Sequence, residues 1–316
     1  MSKLFFKLVV LIITVVAVLL PASLLILKCS SRLLDNGIFV FKKGTTTVIA
    51  GDSHVEASIN PDLFPHSVSI AKSAENYFYT YYKLKHFIEK NPEISTVILG
   101  YSWHNFPQKY QESFLFGDSK STISLYFPLL DEQGKHLIKS LDSSYLIPWA
   151  QNTYGIPFQI YKEHLVIKEL SGLPILRSDI PFFGGYRLIK TSNIDEKNIK
   201  IKLKKYYSGV NQTDSAFSKH ITESFDKIME LCSQHNLKVV LVNTPVHQLY
   251  HGGIPSKADN YLQSLLVKTK SKYANVTYID DSDFPLPTDC YYDGDHLNFK
   301  GAEKYTEYLR AKLNIP

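Results

Sequence analysis

A short apolar run that ends in a glycine and a serine is the feature that most constrains this chain. Residues 45–49 have the length and the β-branched composition of a buried strand, and Gly51 permits a sharp turn directly after them. Ser53 then stands where a helix can begin, with its hydroxyl at the carboxyl end of the strand. A serine hydroxyl becomes a good nucleophile only when a neighbouring base removes its proton. A catalytic role for Ser53 therefore depends on a base elsewhere in the chain.

Residues that fit this requirement lie near the other end of the sequence. Asp293 precedes His296 by three positions. A carboxylate at that spacing can fold back onto the imidazole and fix its tautomer. The other ring nitrogen is then free to take the proton of Ser53, so the sequence predicts a triad of serine, histidine and aspartate.

Strand-like and helix-like segments alternate on both sides of a long irregular stretch. Further strands are predicted at 67–71, 96–100, 237–243 and 276–279, and helices at 75–90, 215–235, 257–272 and 301–313. This alternation predicts a parallel sheet with helices on both faces. Ser53 and His296 both follow strand ends, which is where open α/β sheets bind ligands.

Two short motifs carry a resemblance to a known family. Gly51-Asp52-Ser53 and Asp293-x-x-His296, in that order, resemble the first and last blocks of the SGNH, or GDSL-type, hydrolases. The resemblance implies a flavodoxin-like three-layer α/β/α sandwich with a central parallel sheet. It also implies that Ser53 is the nucleophile, His296 the base and Asp293 its orienting partner.

The family's oxyanion hole is matched less well. It combines the nucleophile N–H with a glycine after the second strand and an asparagine after the third. Residues 71–76 contain no glycine, so a backbone N–H of Ser73 or Ala74 is the candidate donor. The asparagine position falls near Ser102, and the donor candidates there are Ser102, His104 and Asn105, each of which has a structural role as its alternative.

Two more histidines are candidate substrate contacts. His54 follows the nucleophile directly, and His247 follows the fourth predicted strand at the same sheet edge. For His54 an ordinary role in the turn is the favoured alternative, and for His247 a loop position carries equal weight.

The N-terminus carries an apolar run at residues 8–27, with Lys3 and Lys7 before it. About twenty apolar residues suffice to cross a bilayer, and flanking lysines favour the cytoplasmic side. The pattern predicts a transmembrane signal anchor at 1–30 and a domain at 31–316 outside the cytoplasm. The net charge of +5 comes with no nucleic-acid-binding motif, so nucleic acid is not an expected partner.

Residues 106–213 are dense in glycine and proline and interrupt the alternating pattern, which predicts a long insertion or cap. Within it, residues 199–204 alternate strictly between apolar residues and lysine. This predicts a strand with one lysine face, which either guards an exposed edge or contacts an anionic polymer or lipid head groups. Cys232 and Cys290 leave a single bridge open, with free thiols favoured.

The sequence therefore favours an ester hydrolase or O-acyltransferase without cofactor or metal, acting on acyl esters of a cell-envelope or extracellular glycan. Alginate-type acetyltransferases place their aspartate and histidine before the serine, so the order here fits esterases better. One alternative is a degenerate domain that binds glycan or assists a membrane acyltransferase. Another is a metallophosphatase, since Asp52-x-His54 resembles its first motif, but the further ligand motifs are absent from the sequence.

Overall fold

The computed structural model describes residues 3–35, 39–116, 126, 129–141, 171, 184–212 and 216–315 of the 316-residue chain. The chain divides into two compact units. The first comprises Met1–Phe39 and Asp118–Phe182, and the second comprises Val40–Gly117 and Phe183–Pro316.

The elements are as follows in chain order. The strands are β1 (Thr47–Ala50), β2 (Ser67–Ser69), β3 (Thr96–Gly100), β4 (Lys238–Asn243) and β5 (Val276–Asp280). The helices are α1 (Lys3–Asp35), α2 (Ser53–Ser58), α3 (Tyr77–Lys90), α4 (Gln108–Phe116), α5 (Glu132–Leu141), α6 (Glu196–Tyr206), α7 (Lys219–Gln234), α8 (Gln248–His251), α9 (Ser256–Lys272) and α10 (Phe299–Lys312).

Helices α1 and α5 belong to the first unit. The apolar run at residues 8–27 lies within α1, which also contains Pro21. Among the residues that the structure describes, no helix combines the length and the apolar character needed to cross a membrane.

The second unit is built on a five-stranded parallel sheet with the order β2-β1-β3-β4-β5. One core cluster joins strand residues such as Ile49 and Ile98 to Val55 of α2 and Tyr305 of α10. Helices α3 and α7 pack against each other, and α7 also contacts β4. The predicted three-layer α/β architecture is confirmed. Every residue of β1 is buried, which agrees with its run of three apolar residues after Thr47.

The prediction for residues 199–204 was wrong, because this segment is the middle of helix α6 rather than a strand. Asp195 caps the helix by accepting a hydrogen bond from the Lys197 backbone N–H at 3.1 Å. Ile199 and Tyr206 are seven positions apart on one helical face, and both are buried. These six residues alternate with the period of a strand. The Asp195 cap and the seven-residue spacing of the buried Ile199 and Tyr206 are instead features of a helix.

Residues 184–194 are here called the strap. Main-chain hydrogen bonds attach it to the segment after β2, to α2 and to the loop before α10. The amide of Gly185 donates to Ala71 O at 2.8 Å, and that of Arg187 donates to Glu56 O at 2.8 Å. Further along, the Asn193 amide donates to Tyr292 O at 2.6 Å. Gly184 has φ +67°, and a Cβ there would lie 2.1 Å from the Ala71 oxygen, so the close approach requires glycine.

Cys232 and Cys290 are buried free thiols, so no bridge joins them. Burial raises the pKa of Cys232 to about 12, which keeps this thiol protonated and unreactive.

Candidate active site

Ser53 is held at the first position of α2 by the turn that follows β1. Gly51 has φ +143°, a value that L residues rarely adopt, and a Cβ there would lie 3.0 Å from Val55 Cγ2. Asp52 caps the helix, since its Oδ1 accepts a hydrogen bond from the His54 N–H at 3.0 Å. The turn therefore fixes the backbone on both sides of the serine.

Ser53, His296 and Asp293 lie in one hydrogen-bonded line. The distance from Ser53 Oγ to His296 Nε2 is 2.8 Å. On the other side of the ring, Nδ1 lies 2.9 Å and 3.2 Å from the two carboxylate oxygens of Asp293. Asp293 Oδ1 also accepts the backbone N–H of His296 at 3.0 Å, so the same carboxylate shapes the loop and holds the ring. With Nδ1–H donating to Asp293, Nε2 faces the serine hydroxyl and presents a lone pair to it when the ring is neutral.

A second carboxylate and a lysine complete the surroundings of the histidine. Asp295 is fully buried, and its Oδ1 lies 3.3 Å from His296 Nδ1. The ammonium of Lys202, from α6, contacts Asp295 Oδ1 and lies 2.7 Å from Asp293 Oδ2. The other oxygen of Asp295 accepts from Nε2 of His54 at 3.0 Å. Two carboxylates thus border the imidazole of His296, and the ammonium of Lys202 contacts both of them.

These neighbours set the proton affinity of His296. Burial of the ring acts to lower its pKa, but the charges of Asp295 and Asp293 and their hydrogen bonds outweigh burial and raise the pKa to about 9. The free protein therefore holds this imidazole mainly protonated near neutral pH. Only the neutral ring can accept the proton of Ser53.

This leads to a prediction for the pH dependence of any activity that uses Ser53. Because the imidazolium must lose a proton first, kcat/KM for a small ester should rise about tenfold per pH unit up to about pH 9 and level off above it. Initial rates measured between pH 6 and 10.5 check this, with residual folded protein monitored in each buffer. A profile that is already flat at pH 7 would contradict it.

Asp52, His104 and Asn105 form a buried polar group beneath the serine. Asp52 Oδ2 accepts a hydrogen bond from Asn105 Nδ2 at 2.8 Å and lies 2.6 Å from His104 Nε2. Burial acts to raise the pKa of Asp52, but the charges and hydrogen bonds of His104 and His54 outweigh it and hold this pKa below its ordinary value. His104 Nε2 and Asn105 Nδ2 are therefore both engaged with Asp52 in this structure.

His54 is also part of the framework rather than the open site. Its ring is buried and stacks on His104 with centroids 3.8 Å apart. Burial and the neighbouring His104 lower its pKa to about 4, although Asp295 acts in the opposite direction. Neutral His54 then donates through Nε2–H to Asp295 and helps to hold that carboxylate beside His296.

The two candidate oxyanion donors after β2, Ser73 and Ala74, differ in whether their amide is already hydrogen-bonded. The Ser73 N–H and hydroxyl both bind Glu56 Oε2, the N–H at 3.0 Å, so the Ser73 amide is occupied. Ala74 has φ +62°, the left-handed conformation that glycine favours. Within the described part of the chain the Ala74 amide has no hydrogen-bond partner.

The two remaining candidate site residues are Ser102 and His247. Ser102 is buried, and its N–H donates to Asn105 Oδ1 at 2.7 Å. His247 caps α8 and lines an open pocket together with His251, Phe284 and Tyr291. In the described residues the lining of this pocket contains no member of the triad.

One group of side chains has donor atoms close enough for a metal ion. Among the described residues, His54, Asp295 and His296 offer one ligand atom each within 4.8 Å of one another. A metal there would compete with the Lys202 ammonium for Asp295. Asp52 and His54, the pair that resembles a metallophosphatase motif, bind different partners and do not converge on one point.

Comparison with known proteins adds little to this geometry. No curated protein matches the sequence. A protein-family model without a functional description matches residues 186–315, which is less than half of the chain.

Solved structures with a similar course of the chain include a "putative platelet activating factor" from Streptococcus pneumonia. It is 10% identical with a TM-score of 0.43, and the match covers 96% of this chain and 99% of that one. A "putative acylhydrolase" from Bacteroides fragilis is 12% identical with a TM-score of 0.36, over 90% of this chain and 95% of that one. Likeness at this level carries no functional argument, so the candidate site rests on its own contacts.

Proposed function

We propose that this protein is an SGNH-like serine ester hydrolase or O-acyltransferase. The observation that carries the proposal is the hydrogen-bonded line from Ser53 Oγ through His296 to Asp293, at 2.8 Å and 2.9 Å. A nucleophile, a base and an orienting carboxylate in that order are the arrangement that serine acyl transfer requires.

In the proposed reaction, Ser53 Oγ attacks the acyl carbon of an ester while His296 Nε2 takes the hydroxyl proton. The backbone N–H groups of Ser53 and Ala74 are the proposed donors to the oxyanion, because an amide donor needs no particular side chain. The tetrahedral intermediate then collapses, and His296 returns the proton to the departing alkoxide. Water or an acceptor hydroxyl attacks the resulting acyl-enzyme by the same proton transfers and restores free Ser53.

For the substrate we propose an acyl ester of a cell-envelope or extracellular glycan, with a membrane acyltransferase as a partner where transfer prevails. Support for this location comes from the apolar run at residues 8–27 and the lysines before it. A domain that only binds glycan is the second candidate. It is favoured by the departures from the family's oxyanion-hole residues, whose positions hold Ala74 and Ser102.

A fluorophosphonate probe separates the two candidates. We expect the probe to modify Ser53, because an activated serine attacks phosphorus and displaces fluoride whatever its natural acyl group. Labelling is followed by mass spectrometry at pH 9, where His296 is substantially neutral. Ser53→Ala should abolish the modification, and Ser271→Ala, an exposed serine on α9, should leave it unchanged. A folded protein that stays unlabelled at alkaline pH would exclude the enzyme and favour the binding module.

A further inference from the structure

Lys202 meets the candidate triad from a segment far away in sequence. Its Nζ lies 2.7 Å from Asp293 Oδ2, contacts Asp295 Oδ1, and is 3.4 Å from His296 Nδ1. Its side chain is 22% exposed and is supplied by α6, which packs against the loop through Ile199, close to Gly294. One ammonium therefore bridges both carboxylates that border the imidazole.

The charge of this ammonium acts directly on the histidine. Asp293 and Asp295 favour the imidazolium, whereas a cation at 3.4 Å from Nδ1 opposes it. Asp295 is fully buried, so without a cation its charge would have to be balanced by protons on His296 or His54. Lys202 itself stays protonated: burial acts to lower its pKa, but the two carboxylates outweigh burial and raise it.

The other titratable groups around this cluster are two histidines and several tyrosines. Burial raises the pKa of each tyrosine that interacts with Asp295, which keeps them neutral: Tyr110, Tyr206, Tyr207 and Tyr250. His54 on α2 donates to Asp295, and His104 stacks on His54 and binds Asp52. Tyr206 on α6 has its ring centroid 6.0 Å from Nζ, and burial raises its pKa well above the ordinary value. Lys202 thus supplies the positive charge that stays beside the two carboxylates when His296 is neutral.

We propose that Lys202 is a positioning residue for His296. Its ammonium holds Asp293 and Asp295 beside Nδ1 and offsets part of their charge, so that the imidazole releases its proton more readily. The proposal rests on the proposed function, in which His296 is the base for Ser53. In this arrangement α6 adjusts the proton affinity of His296. The helix lies between Ser53 and the Asp293–His296 pair in the sequence.

The test measures the rate of fluorophosphonate labelling of Ser53 between pH 6.5 and 10.5 in the full-length protein. In Lys202→Met we expect the midpoint of the pH profile to move up by about one unit, because a nearby cation has been removed. Labelling at pH 8 should fall about tenfold, and the loss should shrink as the pH rises. Lys204→Met, two residues away on the same helix and exposed, should keep the wild-type profile. Lys202→Arg keeps the charge and should keep the midpoint close to that of the wild type.

Several outcomes would overturn this inference. An unchanged midpoint in folded Lys202→Met, or an equal loss of rate at every pH, would show that the lysine has only a structural role. If Lys202→Met does not fold, a shifted midpoint in Lys202→Arg, which retains the positive charge, would serve as the contradicting result. Wild-type protein that is not labelled at any pH would instead reject the proposed function, so the two failures can be told apart.

Discussion

Asp293→Ala should lower turnover of a small ester about ten-thousandfold, which is the cost of losing the orienting aspartate in a well-coupled triad. Asp295→Ala should cost far less turnover. The reason is directional: Asp293 places its oxygens 2.9 Å and 3.2 Å from Nδ1, whereas Asp295 lies 3.3 Å away and directs its other oxygen to His54. Without Asp293 the ring can rotate or adopt the tautomer in which Nε2 carries the proton.

The two aspartates should also differ in how pH affects their variants. Asp295 acts mainly through its buried charge, so Asp295→Asn should shift the pH midpoint of activity downward, because a carboxylate that raises the pKa of His296 is removed. The Asp293 variants should be slow at all pH values. Steady-state kinetics from pH 6 to 10.5 on proteins with matching circular dichroism makes the comparison. Similar turnover for the two alanine variants would mean that the orienting role is assigned to the wrong carboxylate.

The largest loss of stability is expected from Glu75→Ala. Lys83 Nζ lies 2.6 Å from Glu75 Oε2, and both side chains are completely buried. Lys83 also donates to the Ile70 oxygen, and Thr80 donates to Glu75 Oε1 at 2.8 Å. Removing the carboxylate leaves an ammonium in the core, so the free energy of unfolding should fall by about 3–5 kcal/mol. Burial is the main influence on the pKa of Lys83 and lowers it, in the sense expected for such an ammonium.

Urea unfolding measures this loss, because the free energy of unfolding is calculated from the midpoint and the slope of the transition. A matched control is Glu196→Ala, which removes a Lys200 pair of the same 2.6 Å length whose side chains are 71% and 61% exposed. That variant should lose less than about 1 kcal/mol. The double variant Glu75→Met with Lys83→Met should recover most of the loss, because no buried charge remains. Equal destabilisation by Glu75→Ala and Glu196→Ala would contradict the argument.

The sheet and its helices were predictable because their signals are local. Residues 97–99 are continuously apolar between Thr96 and Gly100, and the strand occupies positions 96–100. The Gly51 turn was predictable for the same reason. Triad candidates could be chosen because Asp293 and His296 are close in sequence, and the structure puts them next to Ser53, though their catalytic roles stay predictions.

Contacts made across the chain could not be predicted in this way. Lys202 lies 91 residues from Asp293, and a lysine among lysines has the pattern of a solvent-exposed surface. The family resemblance makes His104 and Asn105 candidate oxyanion donors, and the structure shows both side chains bonded to Asp52, about fifty positions earlier. Only the packing of α6 and of the turn after β3 shows which carboxylate each polar group meets. A signal that was available is the presence of two aspartates, Asp293 and Asp295, within three residues of one histidine, because neighbouring carboxylates favour a cation between them.

The strap has a consequence for how the site can be altered. Its bonds to Ala71, Glu56 and Tyr292 are made by main-chain amides, so they do not depend on the identity of most strap residues. Leu188, 56% exposed, and the exposed Lys190 can therefore be exchanged without breaking the attachment. Variation there would alter the exposed face of the strap while its main-chain attachments to α2 and to Tyr292 are kept. The strap thus tolerates changes at its exposed side chains, whereas Gly184 and Gly185, with φ +67° and +154°, hold positions where the backbone favours glycine.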